Sequence, residues 1–265
     1  EPPVVTAGRV FFMAIEPSTG TELWSTDGTP EGTKLVVDAS PGPDPPTEGR
    51  GPEPPYSGSL RVRGDTVYWR IWGSGIFRLD PGRSARRAWD VAPLYYAPCG
   101  GEFALYVLGR GVFIAGEDPQ PTFVADLSVP DTYRGNPTCT FSCAGRSVFF
   151  CGRVPKGELR QYALDVPSRH LQLLSENDLS LGAAYFSDEV VIKENRLYFL
   201  GPSAAGDGDA ARALWVTDGT PSGTMRLADG PGRRFPGAFL SGLLFFTPVM
   251  QGQSSGDALW AIRVP

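Results

Sequence analysis

The segments ELWSTDGTPEGTKLVVD (22–38) and ALWVTDGTPSGTMRLAD (213–229) share LW-x-TDGTP-x-GT and, further on, an Asp. A chain that writes one unusual phrase twice is built from repeats, and a repeat constrains architecture more than any composition does. A turn followed by an aromatic strand recurs six times: GRVFFMA (8–14), GDTVYWR (64–70), GEFALYV (101–107), GRSVFFC (145–151), ENRLYFL (194–200) and SGLLFFT (241–247). The turn-to-turn spacings are about 56, 37, 44, 50 and 47 residues, a period that suits a propeller blade of four short strands.

Each unit reads as strands A to D. Strand A precedes the turn, as in Leu60-Arg61-Val62, and strand B is the aromatic run. Strand C is ELWST, GIFRL (75–79), GVFIA (111–115), RQYAL (160–164), ALWVT or ALWAI (258–262). Strand D is TKLVVD, ARRAWDV (85–91), PTFVADL (121–127), HLQLL (170–174) or TMRLAD. The runs are short, β-branched or aromatic, and bounded by Gly, Pro or Asp. Only the stretch near Glu176–Ala184 has room for one helical turn. The expected fold is all-β: a single six-bladed β-propeller domain over 1–265, about four antiparallel strands per blade. The blades fall near 1–42, 56–92, 93–128, 137–175, 188–230 and 236–265. Either the last blade has three strands or Pro2–Val5 helps cover the seam.

TDGTP-x-GT is then the C-to-D connection. Asp27 and Asp218 are placed to accept backbone N–H bonds, and Gly28 and Gly219 to take positive φ. Thr29, Thr33, Thr220 and Thr224 can bond locally. Trp24, Trp215 and Trp260 are expected to wedge between blades. Asp38, Asp90, Asp126 and Asp229 close strand D, where a recurring Asp reads as a turn cap. DGTPEGT lacks the D-x-D-x-D-G ladder of a calcium loop.

These residues resemble the bacterial ELWxxDGT repeat family, with units near G-x-LFF-x-A…GxELWxTDGTxxGTxLVxDIxPG. Units one (8–42) and five (195–232) match strongly, unit six through ALW alone, and units two to four by strand rhythm. The resemblance implies exported, often cell-surface proteins with propeller-like folds. It implies no catalytic residues.

Composition narrows the function. The 33 Gly and 26 Pro fit many turns, and 15 Phe, 9 Tyr and 6 Trp argue against disorder. A net charge of −5 with scattered Arg argues against nucleic acid. No 18-residue apolar run is present to span a membrane, and the opening EPPVV, without Met, reads as a mature or trimmed chain. With four Cys, no CxxC and one His, a zinc cage is not expected. Cys139 and Cys151 flank a hairpin turning at Ala144-Gly145, so a cross-strand disulfide is expected there. A disulfide places the protein in the periplasm, at the cell surface or in the medium. Cys99-Gly100-Gly101 resembles Cys143-Ala144-Gly145, which puts Cys99 and Cys143 at equivalent places in adjacent units; they are the second candidate pair, behind Cys139 and Cys151, because such places on neighbouring blades usually lie too far apart to bond.

The A-to-B and C-to-D turns are short and stereotyped, whereas the B-to-C and D-to-A loops vary widely. Variable loops on a rigid scaffold are where binding sits. The candidate binding residues there are Trp69, Arg70, Trp72, Tyr95, Tyr96, Tyr133, Arg134, Tyr185, Arg233 and Arg234. Aromatic and Arg side chains dominate recognition hot spots. For Trp69, Tyr95 and Tyr185 the competing role is packing between blades. The Pro-rich stretch 41–55 reads as a stiff insertion rather than a polyproline ligand. No cofactor is expected; Ca²⁺ at Asp207 and Asp209 is the alternative to a solvated loop. A Ser-His-Asp site would have to use His170 at the start of a strand D; the G-x-S-x-G letters of GQSSG (252–256) stand in a loop and are not read as a nucleophile elbow, and no phosphate loop is present. The leading expectation is an exported binding module for a protein, peptide or glycan. The alternatives are a metal- or carboxylate-dependent propeller hydrolase or lyase, and a structural subunit of a surface assembly.

Overall fold

The structure, a computed structural model, describes residues 3–39, 41–43, 60–71, 75–128, 141–153, 159–174, 190–202, 212–229, 237–246 and 260–264. Those residues form only strands and turns, arranged as six antiparallel sheets in chain order. Sheet 1 holds β1 (Val4–Thr6), β2 (Arg9–Glu16), β3 (Gly20–Thr26) and β4 (Lys34–Val37). Sheet 2 holds β5 (Leu60–Arg63), β6 (Thr66–Ile71), β7 (Gly75–Leu79) and β8 (Arg86–Arg87). Sheet 3 holds β9 (Tyr95–Cys99), β10 (Glu102–Val107), β11 (Gly111–Ala115) and β12 (Thr122–Ala125). Sheet 4 holds β13 (Ser142–Ala144), β14 (Ser147–Arg153), β15 (Leu159–Asp165) and β16 (His170–Leu173). Sheet 5 holds β17 (Val191–Lys193), β18 (Arg196–Pro202), β19 (Arg212–Thr217) and β20 (Met225–Asp229). Sheet 6 holds β21 (Gly237–Leu240), β22 (Leu243–Phe246) and β23 (Trp260–Arg263), three strands among the described residues. This is the meander order A-B-C-D of a β-propeller-like all-β fold.

Strands A and B are joined six times by two residues, and the first residue of each turn has positive φ. It is Ala7 (49°), Gly64 (57°), Gly100 (57°), Gly145 (63°), Glu194 (55°) and Ser241 (51°). Such turns match the right-handed twist of the strands they join. The middle strands bury successive residues instead of alternate ones: Phe103, Ala104, Leu105 and Tyr106 are all buried, as are Val148, Phe149, Phe150 and Cys151. A strand buried in this way is covered on both faces.

The chain divides into two compact units. One contains 1–94 and 115–122, the other 95–114 and 123–265. In the first, Phe11 and Leu23 of sheet 1 pack on Leu60, Val67, Trp69 and Ile71 of sheet 2. In the second, Tyr198, Leu214 and Val216 of sheet 5 pack on Leu244, Phe239 and Ile262 of sheet 6. Each fully buried Leu or Phe in such a face contributes roughly 1.5–3 kcal/mol.

Strand pairing corrects one sequence reading. Ala144 pairs with Ser147, so the turn is Gly145-Arg146 rather than Ala144-Gly145. Cys99 therefore stands immediately before its turn and Cys143 two places before its own. A one-residue offset reverses the face a side chain takes. The two Cys are not equivalent: they face each other across neighbouring sheets and are disulfide-bonded, with Cα atoms 5.6 Å apart. The second candidate pair is thus bonded, and it is the assumed equivalence of the two places that the register corrects. Cys151 is also disulfide-bonded, and its expected partner Cys139 lies outside the described residues.

Candidate functional site

The two DGT turns are the best-defined devices in the molecule. In the first, Asp27 Oδ1 accepts the Thr29 amide (3.0 Å) and the Thr29 hydroxyl (2.7 Å). The Thr29 hydroxyl oxygen in turn accepts the Gly32 amide at 3.0 Å, and the Thr33 hydroxyl donates to the Thr29 carbonyl at 2.7 Å. The second copy repeats each bond. Asp218 Oδ1 accepts the Thr220 amide and hydroxyl at 2.9 and 2.7 Å, and Thr220 Oγ1 accepts the Gly223 amide at 3.0 Å. Gly28 and Gly219 take φ of 95° and 96°. In both copies the pairing with strand D shifts between the Leu and the Trp of the LW motif, a bulge the sequence did not reveal.

The second Gly of the motif has a spatial reason. A Cβ on Gly32 would lie 1.9 Å from Asp27 Oδ1, and one on Gly223 2.0 Å from Asp218 Oδ1. The hydrogen bonds from Thr29 hold the Asp27 carboxyl below its ordinary value. For Asp218, burial pushes upward, but the hydroxyl and amide of Thr220 more than offset it and the net shift is downward. The Oδ1 of each Asp and the hydroxyl of Thr29 and of Thr220 are used within the turns, which close the sheet ends.

The same end of sheet 2 carries a structural charge cluster. The buried Arg78 pairs with Asp80 and Glu117 and lies under the Tyr68 ring at 5.5 Å. Thr66 and Arg86 also bond Asp80. Burial opposes ionisation of Asp80, yet Arg78 brings its carboxyl below the ordinary value.

The opposite end of each sheet holds the B-to-C and D-to-A connections, where the sequence places the binding residues. The structure separates those candidates. Trp69 is fully buried and stacks on Phe77 at 5.7 Å; Tyr96 is 5% exposed beside Phe103. Neither has surface to offer a ligand, because the strands bearing them are covered on both faces; both are corrected to core residues. Arg70 is half-buried at the end of β6, and its guanidinium donates to the Leu94 carbonyl. Tyr95 is half-buried at the start of β9, between Tyr106 (6.1 Å) and Phe141 (6.2 Å). Trp72, Tyr133, Arg134, Tyr185, Arg233 and Arg234 lie outside the described residues, as do Asp207, Asp209 and Glu176–Ala184.

Tyr95 belongs to a ladder that sequence reading missed. Phe141 continues it to Phe150 at 4.8 Å, and Phe150 to Tyr162 at 6.0 Å, joining sheets 3 and 4 within one unit. Tyr95 opens β9, and Phe141 stands one residue before β13. Between sheets 4 and 5 lies a cavity of about 20 Å³, lined by Phe149, Leu197, Phe199 and Gln161. That is room for about one water, far below a ligand pocket. His170 is exposed as the first residue of β16.

No protein-family model matches the sequence, and no curated protein matches it. Among solved structures, the chain is similar to TolB from Acinetobacter baumannii, at 12% identity and a TM-score of 0.41, over 92% of this chain and 59% of that one. It is similar to the structure described as two prolyl endopeptidases, at 15% identity and a TM-score of 0.53, over 93% of this chain and 39% of that one. It is also similar to the uncharacterized protein lmo1340 from Listeria monocytogenes EGD-e, at 11% identity and a TM-score of 0.37, over 94% and 61% of the two chains. The chain thus spans about three fifths of the TolB chain. The prolyl endopeptidase likeness bears on fold alone. Among the described residues no helix is long and apolar enough to cross a membrane.

Proposed function

We propose that this protein is an exported six-bladed propeller of the ELWxxDGT type that recognises a protein, peptide or glycan through the loop end of its sheets. The observation that carries the reading is the asymmetry between the two ends. At one end, six A-to-B turns all have two residues, and each DGT turn holds its Asp Oδ1 in bonds of its own. At the other, connections run from 17–19 and 108–110 to 38–59 and 247–259. A rigid sheet with one invariant and one variable end suits recognition at the variable end. The Cys99–Cys143 disulfide supports export.

Peptide and glycan arrays probed with the labelled chain test this. Bound probes should lose at least tenfold in affinity to Arg233→Glu/Arg234→Glu and keep it in Glu31→Lys, at the invariant end. Equal binding by the Arg variant, with loss in the Glu31 variant, would reverse the assignment.

A further inference from the structure

One repeat position changes character in sheet 4. Strands B and C pair in the same register in four sheets, which sets Gln161 at the place of Leu23 in sheet 1, Ile76 in sheet 2 and Leu214 in sheet 5. Those three aliphatic side chains are 0% exposed. Gln161 is buried too, at 5%, and its Nε2 has no hydrogen-bond partner among the described residues. Burying an amide without a partner carries a cost that a leucine there would avoid. Buried polar groups of native proteins are satisfied by other protein groups or by ordered water.

Such a partner has a place. Gln161 lines the cavity between sheets 4 and 5, and so does Thr217, which is 1% exposed. The cavity's volume of about 20 Å³ exceeds the roughly 10–15 Å³ that one water needs. The two polar residues face each other by register. A Cβ on Gly219 would lie 3.7 Å from the Cβ of Ala163. Thr217 and Gln161 stand two residues back from that contact, each along its own strand C, and residues two apart share a face.

The Thr217 hydroxyl has one acceptor position left. Thr224 donates its proton to the Thr220 carbonyl at 2.7 Å, so Thr217 is the donor in the 2.8 Å bond between the two hydroxyls. Thr217 Oγ1 also accepts the Gly219 amide at 3.1 Å. A hydroxyl oxygen accepts two bonds, which leaves one lone pair for a further donor.

We infer that this cavity is the binding site of one ordered water, which accepts a hydrogen bond from Gln161 Nε2 and donates one to Thr217 Oγ1. The water ties strand C of sheet 4 to the residue that opens the second DGT turn. Leu23, Ile76 and Leu214 have no polar atom to make such a link. The inference stands without the recognition reading.

High-resolution crystallography of the wild-type chain reads the site directly. The expected result is a single density peak roughly 3 Å from both the Gln161 amide and Thr217 Oγ1. A site without that peak, or a Gln161 amide bonded to a protein group in its stead, overturns the proposal. Water-oxygen magnetic relaxation dispersion tests it in solution. Gln161→Leu, which installs the side chain of sheets 1 and 5, should hold one long-lived internal water fewer than wild type at unchanged circular dichroism. Equal counts in the two proteins overturn it. Where that variant does not fold, the wild-type crystal decides alone.

Discussion

Gly223→Ala tests how the DGT turn is built. Gly223 does not require positive φ, so its backbone admits alanine and only space forbids it. The new Cβ would sit 2.0 Å from Asp218 Oδ1 and 2.2 Å from its Cγ. The carboxylate must swing away, releasing the amide and the hydroxyl of Thr220. Two hydrogen bonds at about 1 kcal/mol each give a loss of about 2 kcal/mol. The smaller unfolded-state entropy of alanine returns roughly 0.5–1 kcal/mol, leaving a net cost of about 1–1.5 kcal/mol. Asp218→Ala loses the same two bonds and should cost about 2 kcal/mol. In the double variant the clash has no object and the bonds are lost only once. It should be slightly more stable than Asp218→Ala, giving a coupling of about 2 kcal/mol against additivity. Urea titrations followed by Trp fluorescence and circular dichroism measure all four proteins. A Gly223→Ala change without effect, or single costs that add in the double variant, would refute the mechanism. Gly32→Ala with Asp27→Ala should repeat the pattern in sheet 1.

Other outcomes follow from the same geometry. Ala7, Glu194 and Ser241 hold positive φ at exposed turn positions, so replacing any of them by Gly should raise stability by roughly 0.5–1 kcal/mol, read as a higher Tm. Cys99→Ala/Cys143→Ala removes a crosslink with a sequence separation of 44; the loop-entropy relation gives a loss of roughly 4 kcal/mol, measurable by urea midpoint under oxidising conditions. The Arg146 guanidinium holds Asp165 below its ordinary value of 3.8. The unfolded chain therefore binds this proton first, and the contribution is present above pH 3.8 and lost as pH falls through the lowered value. Asp165→Asn should consequently flatten the fall in urea midpoint between neutral pH and about pH 3.

Local signals carried most of the architecture. A Gly, Asn or Ser beside an aromatic run locates all six A-to-B turns, because a two-residue hairpin favours residues that tolerate positive φ, although in the fifth the positive φ falls on Glu194 and not on Asn195. The Asp and Thr bonds of TDGTP could be read because they join residues two to four apart. What escaped depends on contacts across sheets. The turn after Cys143 fits Ala144-Gly145 and Gly145-Arg146 equally well by composition, yet a one-residue slip exchanges the faces and decides whether Cys143 meets Cys99. Trp69 and Tyr96 looked like surface candidates because aromatic character does not tell a strand covered on both faces from one covered on a single face. The stretch 85–91 looked like a full strand, but only Arg86–Arg87 pair; Trp89 instead turns inward, stacking on Tyr68 at 5.8 Å and donating to the Gly116 carbonyl at 3.1 Å. Gly32 and Gly223 read as generic turn residues because the carboxylate that excludes a side chain there approaches only in three dimensions. Of the binding candidates, Arg70 and Tyr95 keep partly exposed surface at the loop end.

The proposal that recognition sits at the loop end of the sheets is tested most directly by amide hydrogen exchange with and without a ligand bound on the peptide or glycan arrays. It predicts slower exchange on binding at Arg70, Ile71 and Tyr95, at the loop end, and no change in the DGT turns at 27–33 and 218–224. Slower exchange confined to those two turns would contradict it.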